Sequence, residues 1–225
     1  MPSRNVVKEY VPGGIYHVYN RGVEKRTIFQ GPGDYAVFLR VLRSYLLPPR
    51  HDSQSDASWR VRHIPGVYTL HERVELLAYC LMPNHFHLVL RQHDATGMSE
   101  LLRRLSNAYV LYFNRHYSRI GALFQGRYRA VLVKDEGHLL QLTRYIHRNP
   151  LELSPKAGPA SLAQYEYSSY PEYLGLRHTE WLHPDVVLER FLVFSGASPD
   201  AGTYRDYAEY DLADDRAALA NSALD

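Results

Sequence analysis

Apolar and polar positions along this chain follow two periods, and the points where one gives way to the other mark out its elements. Gly13 to Gly22, GGIYHVYNRG, is rich in β-branched and aromatic residues after a Pro12-Gly13-Gly14 turn signal, and reads as a first strand. Beyond Pro32-Gly33-Asp34, residues Tyr35, Phe38, Leu39, Leu42, Tyr45 and Leu46 recur at helical spacing until Pro48-Pro49 stops the pattern. From Arg50 to Leu70 the chain is polar and without period, which predicts a surface loop with a strand-like piece near Val67. Val74 to Leu81 and His85 to Gln92 form two strands joined tightly through Met82-Pro83-Asn84, an antiparallel hairpin. A second helix is expected from Met98 to His116, with Met98, Leu101, Leu102, Leu105, Tyr109 and Tyr112 on one apolar stripe. Gly126 to Lys134 reads as a fourth strand. Asp135 is placed to cap a third helix that Pro150 ends.

The order strand, helix, strand, strand, helix, strand, with one more helix attached, predicts an α+β fold: a split βαβ, ferredoxin-like sandwich with a central antiparallel sheet. After Pro150 the pattern weakens. Ser154 to Gln164 resembles a linker, Tyr165 to Gly175 a tyrosine-rich turn segment, and Pro184 to Leu192 a short helix opened by its proline. The expected organisation is one domain over residues 1–175, with an insertion loop about 48–72, and an acidic, partly helical tail over 176–225.

Charge sharpens that division. The net +2 of the 225 residues conceals 21 Lys+Arg against 11 Asp+Glu through Pro150, and 5 against 13 from Leu151 onward. A basic body of this kind is the electrostatic footprint of a nucleic-acid binder, and equally of an ordinary solvated surface. Nineteen tyrosines add possible stacking platforms for unpaired bases. No apolar run approaches the roughly 18 residues that span a bilayer, and the N-terminus lacks the apolar core of a signal peptide, so a cytoplasmic protein is expected. The single cysteine, Cys80, excludes an internal disulfide and a thiolate metal cluster, and reads as a small buried strand residue.

Candidate chemistry lies in LMPNHFHLVLRQ, Leu81 to Gln92, and in QLTRYIHRNP, Gln141 to Pro150. In a strand, His85 and His87 point to one side and Phe86 to the other. Two neutral imidazoles on one face form half of a divalent-metal site; the alternative is one partly buried and one solvated histidine. On the third helix Leu139, Leu142 and Ile146 mark the inward face, leaving Gln141, Tyr145 and Asn149 along its flank, the last two one turn apart. The Asn149 amide oxygen could complete a metal shell and the Tyr145 phenol face what the metal polarises; a packing tyrosine and a C-terminal cap are the alternative. Tyr109 and Tyr112 are expected in the core, and Tyr117 and Tyr128 lie near basic residues. Arg103, Arg104, Arg115, Arg119, Arg127, Arg129 and Arg144 are candidates for phosphate contacts.

Taken together, MPNHFHLVL, YHVYNRG, GALFQGRYRAVLV and TRYIHRNP resemble the single-tyrosine HUH transposases, and most closely the REP-associated tyrosine transposases of bacterial chromosomes, over about Gly13 to Tyr173. The resemblance implies nicking and joining of single-stranded DNA at hairpin-forming repeats, by a monomer or homodimer. It gives Tyr145 the role of nucleophile, and His85, His87 and Asn149 that of ligands to Mg2+ or Mn2+. A non-catalytic nucleic-acid-binding module on the same scaffold, and a metal-dependent hydrolase in which Tyr145 only orients substrate, are the competing readings. The acidic tail is expected to fold across the basic face and compete with DNA.

Overall fold

Four antiparallel strands carry the site, and their order follows from which sequences can be buried on both faces. The computed structural model describes residues 10–48, 69–153, 158–194 and 202–210. In chain order these form β1 (Ile15–Arg21), α1 (Pro32–Leu46), β2 (Val74–Met82), β3 (His85–Gln92), α2 (Gly97–His116), β4 (Arg129–Leu132) and α3 (Glu136–Arg148). Three shorter helices follow: α4 (Tyr170–Tyr173), α5 (Asp185–Phe194) and α6 (Tyr204–Glu209). The sheet order is β2-β3-β1-β4, all antiparallel, which is the split βαβ arrangement expected from the sequence.

The strands separate two layers. Phe86, Leu88 and Leu90 of β3, with Val18 of β1, pack against Phe38 and Leu42 of α1 and Leu102, Leu105 and Tyr109 of α2. On the other side Leu77, Ala78, Cys80, Met82 and Val89 pack against Leu139, Leu142 and Ile146 of α3. A register irregularity between Leu76 and Ala78 lets the adjacent Leu77 and Ala78 join that second core while Leu76 and Tyr79 stay in the first. β2 is therefore buried along almost its whole length, as its unbroken apolar run requires.

Residues on both sides of position 175 complete the second core. Leu162, Tyr170 and Tyr173 lie in it together with Val186, Val187, Phe191, Tyr204 and Ala208. The stretch read as a linker is thus, from Pro159 to Gln164, a 3-10 turn whose Leu162 is fully buried. Small and turn-forming residues obscured a single anchoring leucine. The fourth strand is shorter than the expected 126–134, and at its expected start Gly126 takes a left-handed φ of 76°, which is not a strand conformation. α3 begins as expected, with Asp135 accepting a hydrogen bond from the His138 amide at 2.8 Å. Pro150 ends the α-helix but the chain continues as a 3-10 turn, Asn149–Glu152, since proline removes a donor from the α ladder without preventing i→i+3 bonding. The strand-like piece near Val67, most of the insertion loop and the acidic end after Tyr210 lie outside the described residues.

Candidate metal and nucleophile site

Alternation on β3 turns His85 and His87 toward α3, opposite to Phe86. Across the ladder His87 is paired with Tyr19 and His85 with Arg21, and His17 lies two residues before Tyr19 on the same face. The His17 and His87 rings are stacked, with Nε2 of His17 2.8 Å from Nδ1 of His87. Each nitrogen can donate or accept, so the proton position follows from the remaining contacts. Nε2 of His87 and Nδ1 of His17 are buried with no hydrogen-bond partner among the described residues. If Nδ1 of His87 donates to His17, then Nε2 of His87 is left as a bare lone pair, the form in which an imidazole binds a metal.

His85 is similarly set. Its Nδ1 is 2.7 Å from Oδ1 of Asn84, an acceptor, so Nδ1 carries the proton and Nε2 is an acceptor. That Nε2 lies 3.4 Å from Oδ1 of Asn149. The Asn149 amide is oriented by its own Nδ2, which donates to the Tyr145 carbonyl at 2.9 Å. Two acceptors thus face each other with no proton between them, an arrangement that a cation satisfies. The helix puts Tyr145 one turn before Asn149, and its ring meets His87 edge-on with centroids 5.7 Å apart. The donors are two imidazoles and one amide oxygen, and the described residues contain no cluster of three or more His, Cys, Asp or Glu suited to a metal. Such nitrogen and oxygen donors fit a divalent ion, and the unpartnered Nε2 of His87 is the observation that favours one.

Burial sets the protonation states. It lowers the His87 imidazole well below its ordinary range, pushes His17 down to about 3, and lowers His85, where the Asn149 contact works in the opposite direction and Arg21 adds repulsion. The three rings are therefore neutral at pH 7. The Tyr145 phenol is raised, by burial first and by the charge of Glu152 second, and the Asn149 amide offsets only part of this. It is a protonated phenol in the free protein.

His17, Tyr19 and Arg21 were not among the candidates from sequence, although their alternation in YHVYNRG places them on one face. Of the candidate arginines, Arg103, Arg115, Arg127 and Arg129 are exposed. Arg104 is half-buried and pairs with Glu100 at 2.5 Å, and Arg119 lies over the Phe113 ring. Arg144 differs from the sequence expectation. It is 2% exposed, and its guanidinium donates to the Tyr207 carbonyl at 2.7 Å and to that of Tyr210. Those bonds hold α6 on α3, which makes Arg144 a packing residue in this arrangement. Arg148 donates to the Ala208 and Tyr210 carbonyls, so α6 and the residue after it bond two basic side chains of α3.

Comparisons with known proteins bear on the family and the fold. Residues 50–149 match the family described as "Transposase IS200 like". Comparison with curated proteins gives no match. Among solved structures, a REP-associated tyrosine transposase bound to a REP hairpin aligns with a TM-score of 0.53 at 14% identity, covering 79% of this chain and 90% of that one, and so shares its fold. A Deinococcus radiodurans R1 protein described as a candidate transposase aligns with a TM-score of 0.36 at 14% identity, covering 66% of this chain and 96% of that one, too distant to add to the argument. The residues matched to that family, 50–149, include His85, His87, Tyr145 and Asn149.

Proposed function

We propose that this protein cleaves and rejoins single-stranded DNA at hairpin-forming repeats, with Tyr145 as nucleophile and His85, His87 and Asn149 as ligands to Mg2+ or Mn2+. The observation that carries the reading is the convergence of α3 on β3: Asn149 Oδ1 stands 3.4 Å from His85 Nε2, while the Tyr145 ring packs edge-on against His87. A REP hairpin is bound by the similarly folded transposase, which supports a hairpin-bearing substrate here.

A divalent ion bound to those three donors would supply positive charge to the non-bridging oxygens of the scissile phosphate. Tyr145 Oη attacks phosphorus, the P–Oη bond forms, and the P–O3′ bond breaks. The proton given up by the phenol is balanced by the proton gained at the departing 3′ oxygen. One phosphodiester is exchanged for another, so the joint can be reversed with a new 3′ end and no other energy source. A phenol has a pKa of about 10 in water and is raised further here, so it attacks only once phosphate and counter-charge are in place. This couples reactivity to substrate binding. The neutral histidines accept no proton in the scheme; their part is to hold position.

The reading is tested by incubating a labelled hairpin-bearing oligonucleotide with the protein and Mn2+ or Mg2+, then resolving the products on a denaturing gel. A protein-linked DNA band together with a fragment ending in a 3′-hydroxyl is expected. Free fragments without a linked band would favour hydrolysis, and binding without any cleavage would favour a non-catalytic module.

A further inference from the structure

Away from the histidines, an open cavity of about 550 Å3 is lined by Arg26, Thr27, Gln30, Phe113 and Arg119. Two loops build it. One runs on from β1, and the other follows α2. They are clasped by a bridge between Gly22 and Phe124 and by the Val23 amide donating to the Leu123 carbonyl at 2.9 Å. Gly22 is required at that crossing, since a Cβ there would lie 2.2 Å from the Arg26 carbonyl oxygen.

Backbone strain in the described residues falls where these arginines are presented. The non-glycine residues with left-handed φ among them are Glu24 (56°), Lys25 (58°) and Ser118 (51°). Glu24 and Lys25 directly precede Arg26, and Ser118 directly precedes Arg119. Such conformations are costly for a residue with a side chain and persist where the surroundings impose them, often at binding sites. The side chains retain donors for a ligand. Among the described residues the Arg26 side chain meets the exposed Glu24 at 3.2 Å and the Val23 carbonyl at 3.2 Å. Arg119 bonds Asn114 Oδ1 at 3.3 Å, covers the buried Phe113 ring, and has no acidic partner among the described residues. The Thr27 hydroxyl and the Gln30 amide are both exposed at the rim.

The cavity is tied to the candidate site through the β2–β3 turn. The Ile28 amide donates to the Pro83 carbonyl and the Gly22 amide to the Asn84 carbonyl, each at 2.8 Å, and Asn84 bonds His85 at 2.7 Å. We propose that this cavity is a second phosphate-binding subsite, in which Arg26 and Arg119 grip the backbone of the DNA strand that passes the turn next to His85. The identity of the ligand as DNA rests on the function proposed above; the anion preference rests on the two guanidinium groups.

The test is anisotropy of a labelled hairpin-bearing single strand at several salt concentrations, without divalent metal and in a Tyr145→Phe background, so that cleavage plays no part. Arg26→Ala with Arg119→Ala is expected to weaken binding about tenfold or more, and to flatten the log–log salt dependence by about 0.7 for each phosphate that is no longer neutralised. The paired Arg→Lys variant should keep most of the salt slope, which separates removal of charge from a damaged fold. Unchanged affinity and slope in the alanine pair would overturn the subsite while leaving the proposed function standing, as would weaker binding with the parental slope. Failure of the parent to bind the hairpin strand at all would overturn both.

Discussion

Nε2 of His17 lies 2.8 Å from Nδ1 of His87, so a histidine on β1 fixes the ring that meets Tyr145 edge-on. The two strands are adjacent, with Tyr19 opposite His87, and both rings are buried. A partner on the remote nitrogen of a ligating histidine sets its tautomer and orientation, and its removal typically weakens metal binding by about 10–100-fold. His17→Ala should therefore lower Mn2+ affinity by that factor, measured by calorimetry on the DNA-free protein. His17→Gln, which can still accept a hydrogen bond, should recover part of the affinity. Equal affinities in all three proteins would remove His17 from the site.

Arg144 holds α6 through the Tyr207 and Tyr210 carbonyls, and replacing it removes those hydrogen bonds from a charged donor while Arg148 still reaches the Tyr210 carbonyl. A hydrogen bond to a charged group contributes about 1.5–3 kcal/mol. Arg144→Leu should lower stability in urea by a comparable amount. If it instead leaves stability unchanged while weakening DNA binding, Arg144 contacts phosphate as the sequence suggested.

Cutting the chain after Gly175 should prevent stable folding, whereas cutting after Tyr210 should not. The first truncation strips Val186, Val187, Phe191, Tyr204 and Ala208 from the second core. Each large apolar side chain contributes about 1.5–3 kcal/mol, and their sum rivals the 5–15 kcal/mol that typically separates folded from unfolded states. Circular dichroism melts distinguish the two products. The truncation after Tyr210 is also the suitable protein for asking whether the remaining acidic residues compete with DNA, since it leaves this core intact.

His147 gives the protein an acid-sensitive core. It is fully buried between the Tyr204 hydroxyl and Ser169 Oγ, each at 2.9 Å, and burial pushes its imidazole down to about 3. Above the unfolded value of about 6.5 the ring is neutral in both states and carries no penalty. Below it the unfolded chain takes up a proton that the folded chain refuses, so stability falls with pH toward 3, at up to about 1.4 kcal/mol per pH unit. Between pH 7 and 5 urea midpoints should drop, and His147→Gln should show about 2 kcal/mol less of that dependence. An identical pH dependence in the variant would contradict the assignment.

The legible parts of this molecule were those with local periodicity or a local signal. The β2–β3 hairpin, the stripe on α2 and the Asp135 cap of α3 are written in neighbouring residues, and they placed His85, His87, Tyr145 and Asn149 on elements that do converge. His17 was hidden because its role depends on the β1–β3 register, which pairs residues 70 positions apart. The burial of Arg144 was not legible because a cation on a helix flank looks the same whether solvent or a later helix covers it. Leu162 and Phe191 sit in segments of turn-like or weak pattern, and only the second face of the sheet, which needs covering, explains why they are buried.

The proposed chemistry turns on Tyr145 forming the bond to phosphorus. After reaction with a hairpin-bearing oligonucleotide and Mn2+, nuclease trimming and trypsin digestion, mass spectrometry should find a nucleotide mass on the peptide Tyr145–Arg148, and none in Tyr145→Phe. An adduct on any other tyrosine, or strand cleavage that persists in Tyr145→Phe, would contradict it.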